Sequence, residues 1–493
     1  MVLTWVEILL LGLVCCLFIH STWNSMYKDR NLPPGPTPLP LIGNLLQIER
    51  GQIKNSFMKL TEKYGSVYTL YFGPNPVVVI SGYEAVREAL ITQGDDFGAR
   101  GKIPTLDKFA QGYGISFSNG ERWRQLRGFT SKTLRNLGFG KKSFESKIHE
   151  EAKCVVEELK NLRENPIDPT KLLMDASTNI LLSIIFGDRS EYKDERFSKL
   201  LGYIEETFNL ISSPWGQLQS VLPQVMDYVP GPHQKITAIS EELVSYIKER
   251  VKTHQQTLDP NKARDFIDAF LIKIKEEKNN PTTEFTMRNL LLTVHNLFIA
   301  GAEAVSTTLK HGLLILLKHP EIEAKVYEEI DRVIGQGRAP NINDRVKMPY
   351  TNAVVHEIHR FADIVPFNIP HMTAKDTQFR GYTIPKGTDV YILLYSVHRD
   401  PGYFSTPYKF NPNHFLDENG GFKRNEAMMA FSAGKRVCPG ENLGRMIFFL
   451  FLTTLLQNFT LSSERKFTEA DIAPRMAGFL NAPIRYKLSF IQR

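Results

Sequence analysis

Cysteine is scarce in this chain: four residues in 493, two of them adjacent at Cys15 and Cys16. So few cannot build a disulfide framework in a protein of this length, and a reducing compartment is expected for the body of the chain. No two cysteines form a C-x-x-C pair, which excludes a cysteine-built zinc site. No G-x-G-x-x-G run marks a dinucleotide-binding turn, and there is no internal repeat, low-complexity tract or clear domain break. Lysine and arginine are missing before Lys28, so the positive start of a cleaved signal peptide is lacking too.

What is present is apolar material in quantity, 42% of residues, enough to bury a large core. The opening run "VLTWVEILLLGLVCCLFIHSTW" has the length to cross a bilayer, since about 20 apolar residues suffice. Residues 1–23 are therefore expected to be a membrane anchor, with Lys28 and Arg30 keeping the following chain on the cytosolic side. Residues 24–44 form a linker whose "LPPGPTPLPLIGN" segment favours a stiff, extended strut. Residues 45–493 follow as one domain. Helical periodicity dominates it, at 145–163, 170–187, 235–256 and 286–318. Strand-like runs are confined to 67–82 and 387–395. The fold class expected is mainly α with small β-sheets. Residues 161–169, 212–232, 257–283 and 335–349 read as connections. The second of these exposes Trp215, Leu222, Val225, Met226 and Tyr228, a set suited either to a membrane interface or to packing over the core.

Cys438 lies in "FSAGKRVCPGENLG", among glycines, two cations and a proline. A lone thiolate can hold haem iron, because a porphyrin supplies four ligands and one axial donor completes the protein's share. Gly434 and Gly440 allow close backbone approach to a flat macrocycle. Arg436 can pair with a carboxylate of it. The helix predicted after Pro439 places its N-terminal N–H groups near the sulfur. A turn holding a buried structural cysteine is the alternative for this loop in isolation.

Phe431, Gly434, Arg436, Cys438 and Gly440 match F-x-x-G-x-R-x-C-x-G at every defined position, and by this signature the chain resembles the cytochrome P-450 superfamily. "ERWRQLR" at 121–127 is similar to the family's propionate-binding helix. Glu357 and Arg360 match its E-x-x-R pair, and "FNPNHF" at 410–415 resembles the segment that completes that pair. The phrasing is most similar to vertebrate microsomal family 2, with its drug- and fatty-acid-oxidising members; position 430 departs from the usual proline as Ala430. The resemblance implies the cytochrome P-450 fold: a single haem domain behind a transmembrane anchor. It implies haem b (iron protoporphyrin IX) ligated by Cys438, with propionates held by Arg100, Trp123, Arg127, His371 and Arg436. Glu357 and Arg360 become a buried structural pair. "HEIHR" is not a zinc-protease motif, because His356 and His359 stand three apart, not four.

The segment "FIAGAEAVSTTL" (298–309) occupies the place where the family carries A/G-G-x-D/E-T, whose acid and threonine support a water chain for proton delivery. Ala300, Gly301 and Glu303 match. The threonine position is Ala304, and alanine can neither donate nor accept a hydrogen bond. Three readings stay open: Glu303 with water or a substrate hydroxyl takes over, the enzyme leaks peroxide, or it rearranges a ready-made hydroperoxide as an isomerase or dehydratase. Ser306 and Thr307 are poor stand-ins, being turned away or moved along the helix at roughly 100° per residue.

With no nucleotide fingerprint, electrons have to come from a partner. Arg122, Arg124, Arg127, Lys132, Arg135, Lys141 and Lys142 make an acid-free stretch that suits an acidic redox protein; the resemblance implies NADPH-cytochrome reductase, with NADPH acting indirectly through it, and cytochrome b5. Membrane lipid is a compatible neighbour of that charge, and nucleic acid is not, for want of a base-reading motif. The resemblance also points to Ile115, Phe117, Phe208, Phe298, Ala302, Val365, Phe367 and Phe479 as an apolar pocket for a lipophilic substrate. The expectation is a monooxygenase of the endoplasmic reticulum membrane with its domain in the cytosol, Glu303 and the Ala304 position serving catalysis. A hydroperoxide isomerase and a non-catalytic haem or lipophile carrier are the rivals.

Overall fold

The computed structural model describes residues 32–49, 51–138, 144–477 and 480–493, with scattered positions between 5 and 21. Most of the expected anchor, Lys141, Lys142 and Phe479 lie outside the described residues.

Six helices build the site: α1 (Gly114–Phe117), α2 (Gly120–Asn136), α3 (Thr170–Ile185), α4 (Met287–Lys318), α5 (Pro349–Ala362) and α6 (Glu441–Asn458). The central one, α4, starts where the Thr286 side chain accepts the Asn289 N–H and stops just ahead of Pro320, which cannot continue it. It is apolar because it is interior: Leu309 and Leu313 to Leu316 are fully buried. Among the described residues it is the one helix long and apolar enough to cross a bilayer, but its burial makes it the core helix. Gly301 makes the close approach to α3 possible, since a Cβ there would stand 2.4 Å from Leu181 Cδ1. α6 supplies a second apolar rod, with Phe448 to Leu452 buried in the same core.

The main sheet contains β1 (Val67–Phe72), β2 (Asn75–Ser81), β3 (Ala99–Arg100), β4 (His371–Met372) and β5 (Asp389–Leu393), in the order β1-β2-β5-β4-β3. β1 and β2 form an antiparallel hairpin with Val67 opposite Ile80, while β2 runs parallel to β5. The far edge pairs Arg100 with His371, so two residues distant in sequence arrive side by side.

Two expected connections contain α-helix. Within 257–283, Phe266–Glu276 is helical: Asp265 caps it by accepting the Asp268 N–H, and Phe266, Ile267, Phe270 and Leu271 bury one face. Within 212–232, Pro214–Val221 follows the Ser213 cap, whose hydroxyl accepts the Gly216 N–H, and Pro223–Met226 adds a further turn. Of the residues expected to be exposed there, Trp215, Val225 and Tyr228 are, whereas Met226 is buried and Leu222 half-buried.

Glu357 and Arg360 lie one turn apart on α5, and both are completely buried. Arg360 spends all five donors: Nε and Nη2 on Glu357, Nη1 on the carbonyls of His398 and Pro407, and Nη2 again on that of Lys409. Glu357 also accepts from the Asn411 N–H at 2.7 Å and stands 3.2 Å from His414 Nδ1. Burial alone would raise the Glu357 pKa, but these hydrogen bonds and the charges of Arg360 and His414 hold it below the usual glutamate range. The pair therefore ties α5 to residues 398–414, directly before the cysteine loop.

Candidate functional site

The cysteine loop is shaped by two constraints. Gly434 has φ +69°, and a Cβ on it would fall 1.8 Å from the Leu90 carbonyl oxygen, so no other residue fits there. The Cys438 N–H then donates to the Phe431 carbonyl at 2.9 Å, closing the loop before α6 begins. Cys438 is exposed, although protein packs densely around it. That packing pushes the thiol pKa up, against the Gly440 N–H, Arg127 and Arg100, which pull it down.

Three arginines converge on this loop. Arg127, from α2, donates to the Val437 carbonyl at 2.6 Å. Arg436 donates to the carbonyls of Gly98 and Ser118 and to Asn119 Oδ1, and its guanidinium lies 3.9 Å from the Trp123 ring centroid. Arg100 donates to the carbonyls of Ser116 and Ile369. None of the three has a carboxylate at ion-pair distance among the described residues. Burial, with Arg100 and Arg127 adding repulsion, pulls the Arg436 pKa down to about 8, and burial then Arg127 pull Arg100 to about 10. A guanidinium holds its proton in proteins, so these shifts express an unmet demand for an anion. The buried Arg436 Nη1 has no hydrogen-bond partner.

His371 shares the cluster. Its Nδ1 lies 2.7 Å from the Phe97 carbonyl, which fixes the proton on that nitrogen. Nε2 faces the Asn368 amide at 3.4 Å, and the same amide donates to Ser432 in the cysteine loop at 2.9 Å. Burial and the neighbouring Arg100 lower the His371 pKa to about 3, so the ring is neutral as it stands and would donate from Nε2 only after taking up a second proton.

A buried cluster of unpaired cations beside an accessible thiol, with a glycine-shaped loop beneath, fits a planar group that carries carboxylates and an iron seeking one axial ligand. Arg100, Trp123, Arg127 and Arg436 thus lie together around the cysteine loop. Asn119 escaped notice in the sequence. It accepts the Arg100 N–H, returns its amide to the Arg100 carbonyl at 3.1 Å and accepts from Arg436, locking two arginines at once. A lone asparagine before a helix reads as a cap, so nothing local marked it.

α4 is tied to the same cluster. Asn296 Oδ1 accepts the Ser116 N–H of α1 at 3.1 Å, and Ser116 in turn accepts from Arg100, so this face of α4 looks toward the arginine cluster. At roughly 100° per residue, Asn296, Ala300, Glu303 and Thr307 share it. Ala300 is exposed although it sits on the core helix, and Glu303 and Ala304 are half-open. Phe298 and Ala302 project the other way. Both are fully buried, and Phe298 meets Phe186 edge-on at 6.3 Å. They pack the α3 side of the core, so the expectation that they line the pocket is corrected by helix phase. Ile115 is buried, Phe117, Phe208 and Val365 are half-buried, and Phe367 packs on Phe57 at 4.9 Å.

Phe367 also borders a half-open groove of about 1490 Å³, lined by Leu45, Ile103, Ile211, Leu218 and Val221. The groove excludes Cys438 and Glu303; its link to the cysteine loop is Asn368, which lines it and reaches Ser432.

These features define a haem-thiolate protein. A cytochrome P450 family model matches residues 33–490. The chain is 51% identical over 478 residues to cytochrome P450 2G1 of Rattus norvegicus, covering 97% of each chain. It is 50% identical to cytochrome P450 2C16 of Oryctolagus cuniculus over 99% of each chain, and 49% identical to cytochrome P450 2A6 of Homo sapiens over 98% of this chain and 99% of that one. The chain belongs to the cytochrome P450 family, and its relatives are of family 2. Its class is therefore that of the haem-thiolate monooxygenases.

Proposed function

We propose that the chain inserts one oxygen atom of dioxygen into lipophilic substrates, such as xenobiotics, fatty acids or steroids, using NADPH electrons delivered by a reductase. The observation that carries this reading is an exposed Cys438 beside arginines that lack carboxylate partners, tied through Arg100, Ser116 and Asn296 to an α4 face bearing Glu303, Ala300 and Ala304. Haem, when bound, supplies the redox chemistry with dioxygen. Cys438 would give its thiolate to the iron, Arg100, Trp123, Arg127 and Arg436 would hold its carboxylates, and His371 would join them once doubly protonated. Glu303 would carry protons on the open face of α4. Ile115, Phe117, Phe208, Val365 and Phe367, with Phe479, orient the substrate, and the apolar groove beside Phe367 suits entry of a lipophile.

The partner face is α2. Arg124, Lys132 and Arg135 are exposed along one side of it, while Arg127 from the same helix reaches Val437, next to the thiolate. Arg122 turns inward to Glu284 at 2.7 Å and leaves the patch. Lys141 and Lys142 extend the patch in sequence. An acidic reductase, or cytochrome b5, docking there stands close to the iron ligand. Residues 1–23 anchor the chain in the endoplasmic reticulum membrane with the haem domain in the cytosol. Trp5, Leu9, Leu13 and Leu17 are helical and exposed, and exposed Trp215, Val225 and Tyr228 add an interfacial contact.

Incubation with NADPH, reductase, a lipid and xenobiotic panel and heavy dioxygen tests the proposal. One labelled oxygen in an NADPH-dependent product is expected. Ala304 favours the second reading, hydroperoxide rearrangement; unlabelled product formed from hydroperoxides without NADPH would establish that reading and refute the first.

A further inference from the structure

Three hydroxyl residues follow Ala304 and Val305 on α4, and they behave differently. The Ser306 hydroxyl donates to the Ala302 carbonyl at 3.0 Å and the Glu303 carbonyl at 3.1 Å. Thr308 donates to the Ala304 carbonyl at 2.7 Å. Both satisfy themselves on their own helix backbone, the ordinary resting place for a hydroxyl in mid-helix. Thr307 does not. Its hydroxyl donates to Glu303 Oε1 at 2.7 Å, a charge-assisted bond when the carboxylate is ionised. Thr307 is only 1% exposed, so its side chain is fixed by packing, and a fixed donor defines where the acceptor rests. One turn separates the two residues, which places Thr307 on the Asn296, Ala300 and Glu303 face. Glu303 Oε2 has no hydrogen-bond partner among the described residues, so one oxygen is held and the other is free to act. Thr307 reads from the sequence only as a poor stand-in for the missing threonine at Ala304; its bond to Glu303 gives it a different part.

We propose that Thr307 is a positioning residue that holds the Glu303 carboxylate by one oxygen on the open face of α4, a task that Ala304 cannot share. The proposal rests on the oxygen-insertion reading for its catalytic consequence, but the holding of Glu303 is a property of the chain itself. Losing one hydrogen bond to a charged group reduces the held arrangement roughly tenfold. Protons would then pass less reliably along the α4 face, and more hydrogen peroxide would escape for each NADPH consumed.

The test uses full-length, haem-loaded protein. Infrared difference spectra of the resting state identify the Glu303 carboxylate band as the one lost in Glu303→Gln. Thr307→Val, which keeps the shape and removes the hydroxyl, is expected to shift that band; Thr307→Ser is expected to leave it in place. Thr307→Ala repeats the loss of the hydroxyl should the valine variant fold poorly. Peroxide released per NADPH is expected to rise several-fold in Thr307→Val and Thr307→Ala, and to return to the starting value in Thr307→Ser. An unshifted band in the variants lacking the hydroxyl overturns the proposal, as does an equal shift in Thr307→Ser, which would make packing the cause. A shifted band with unchanged peroxide overturns the role in proton delivery. The infrared result needs no turnover, so failure of the oxygen-insertion reading, seen as no labelled product from any variant, stays distinguishable.

Discussion

Replacing Glu357 by Gln tests the buried pair behind the cysteine loop. The carboxylate accepts from Arg360 Nε and Nη2 at 2.7 and 2.6 Å and from the Asn411 N–H at 2.7 Å. An amide of the same shape removes the charge and turns an NH2 group toward at least one of these donors. Arg360, at 0% side-chain exposure, becomes an uncompensated buried cation, and breaking such a pair from one side costs about 3–5 kcal/mol. Unfolding entropy near 2.1 cal/mol/K per residue gives roughly 1 kcal/mol/K for a chain of 493 residues. The expected fall in Tm is thus about 3–5 °C, read by circular dichroism on the haem-loaded protein at neutral pH. The pH dependence carries its own sign. The folded-state pKa of Glu357 is depressed, so its contribution is complete above the ordinary glutamate range and is lost as pH falls through the folded value. The gap between wild type and Glu357→Gln should therefore close on acidification. Glu357→Gln with Arg360→Met should cost less than the two single changes added together. A Tm shift under about 1 °C, or a gap that widens in acid, would refute the reasoning.

Arg436→Met removes a cation with no carboxylate partner, and haem affinity is expected to fall roughly ten- to hundredfold, the worth of one charge-assisted hydrogen bond; competitive haem transfer measures it, and unchanged affinity would remove Arg436 from the carboxylate-binding set. Reversing charge on the exposed face of α2, with Arg124→Glu and Arg135→Glu together, should slow reductase-dependent reduction at low ionic strength, and added salt should narrow the difference. Stopped-flow reduction across a salt series checks this, and a salt-independent difference would place the docking face elsewhere.

The proximal half of the site was legible in the sequence because its geometry is local. Phe431 to Gly440 form one loop, and each position has one requirement: a glycine at positive φ, an accessible thiol, a cation beside it. The α4 face was only partly legible. The motif around Gly301 fixed the helix, but assigning side chains to its two sides needs the helical phase relative to α1 and α3, and Phe298 and Ala302 fell on the wrong side. Asn296 and Asn119 carried no signal, since their value lies in partners far along the chain, Ser116 and Arg436. The helices at Phe266–Glu276 and Pro214–Val221 were hidden in polar or proline-bearing stretches, although each carries its own cap in Asp265 and Ser213.

Two kinds of buried charge coexist in this fold. Glu357 and Arg360 satisfy one another, so their contribution to stability belongs to the chain alone. Arg100, Arg127 and Arg436 are held by carbonyls and by Asn119, which supply hydrogen bonds without supplying charge. Carbonyl dipoles orient a guanidinium but do not neutralise it, and burial still penalises each cation, as the lowered values at Arg100 and Arg436 reflect. A bound dianion and an iron-held thiolate at Cys438 would relieve that penalty by bringing negative charge to the same place. On the proposed assignment, haem binding would be coupled to folding through the arginines as well as through the iron. A substitution in the first group weakens the protein whether or not haem is present, whereas one in the second acts chiefly through the loaded form.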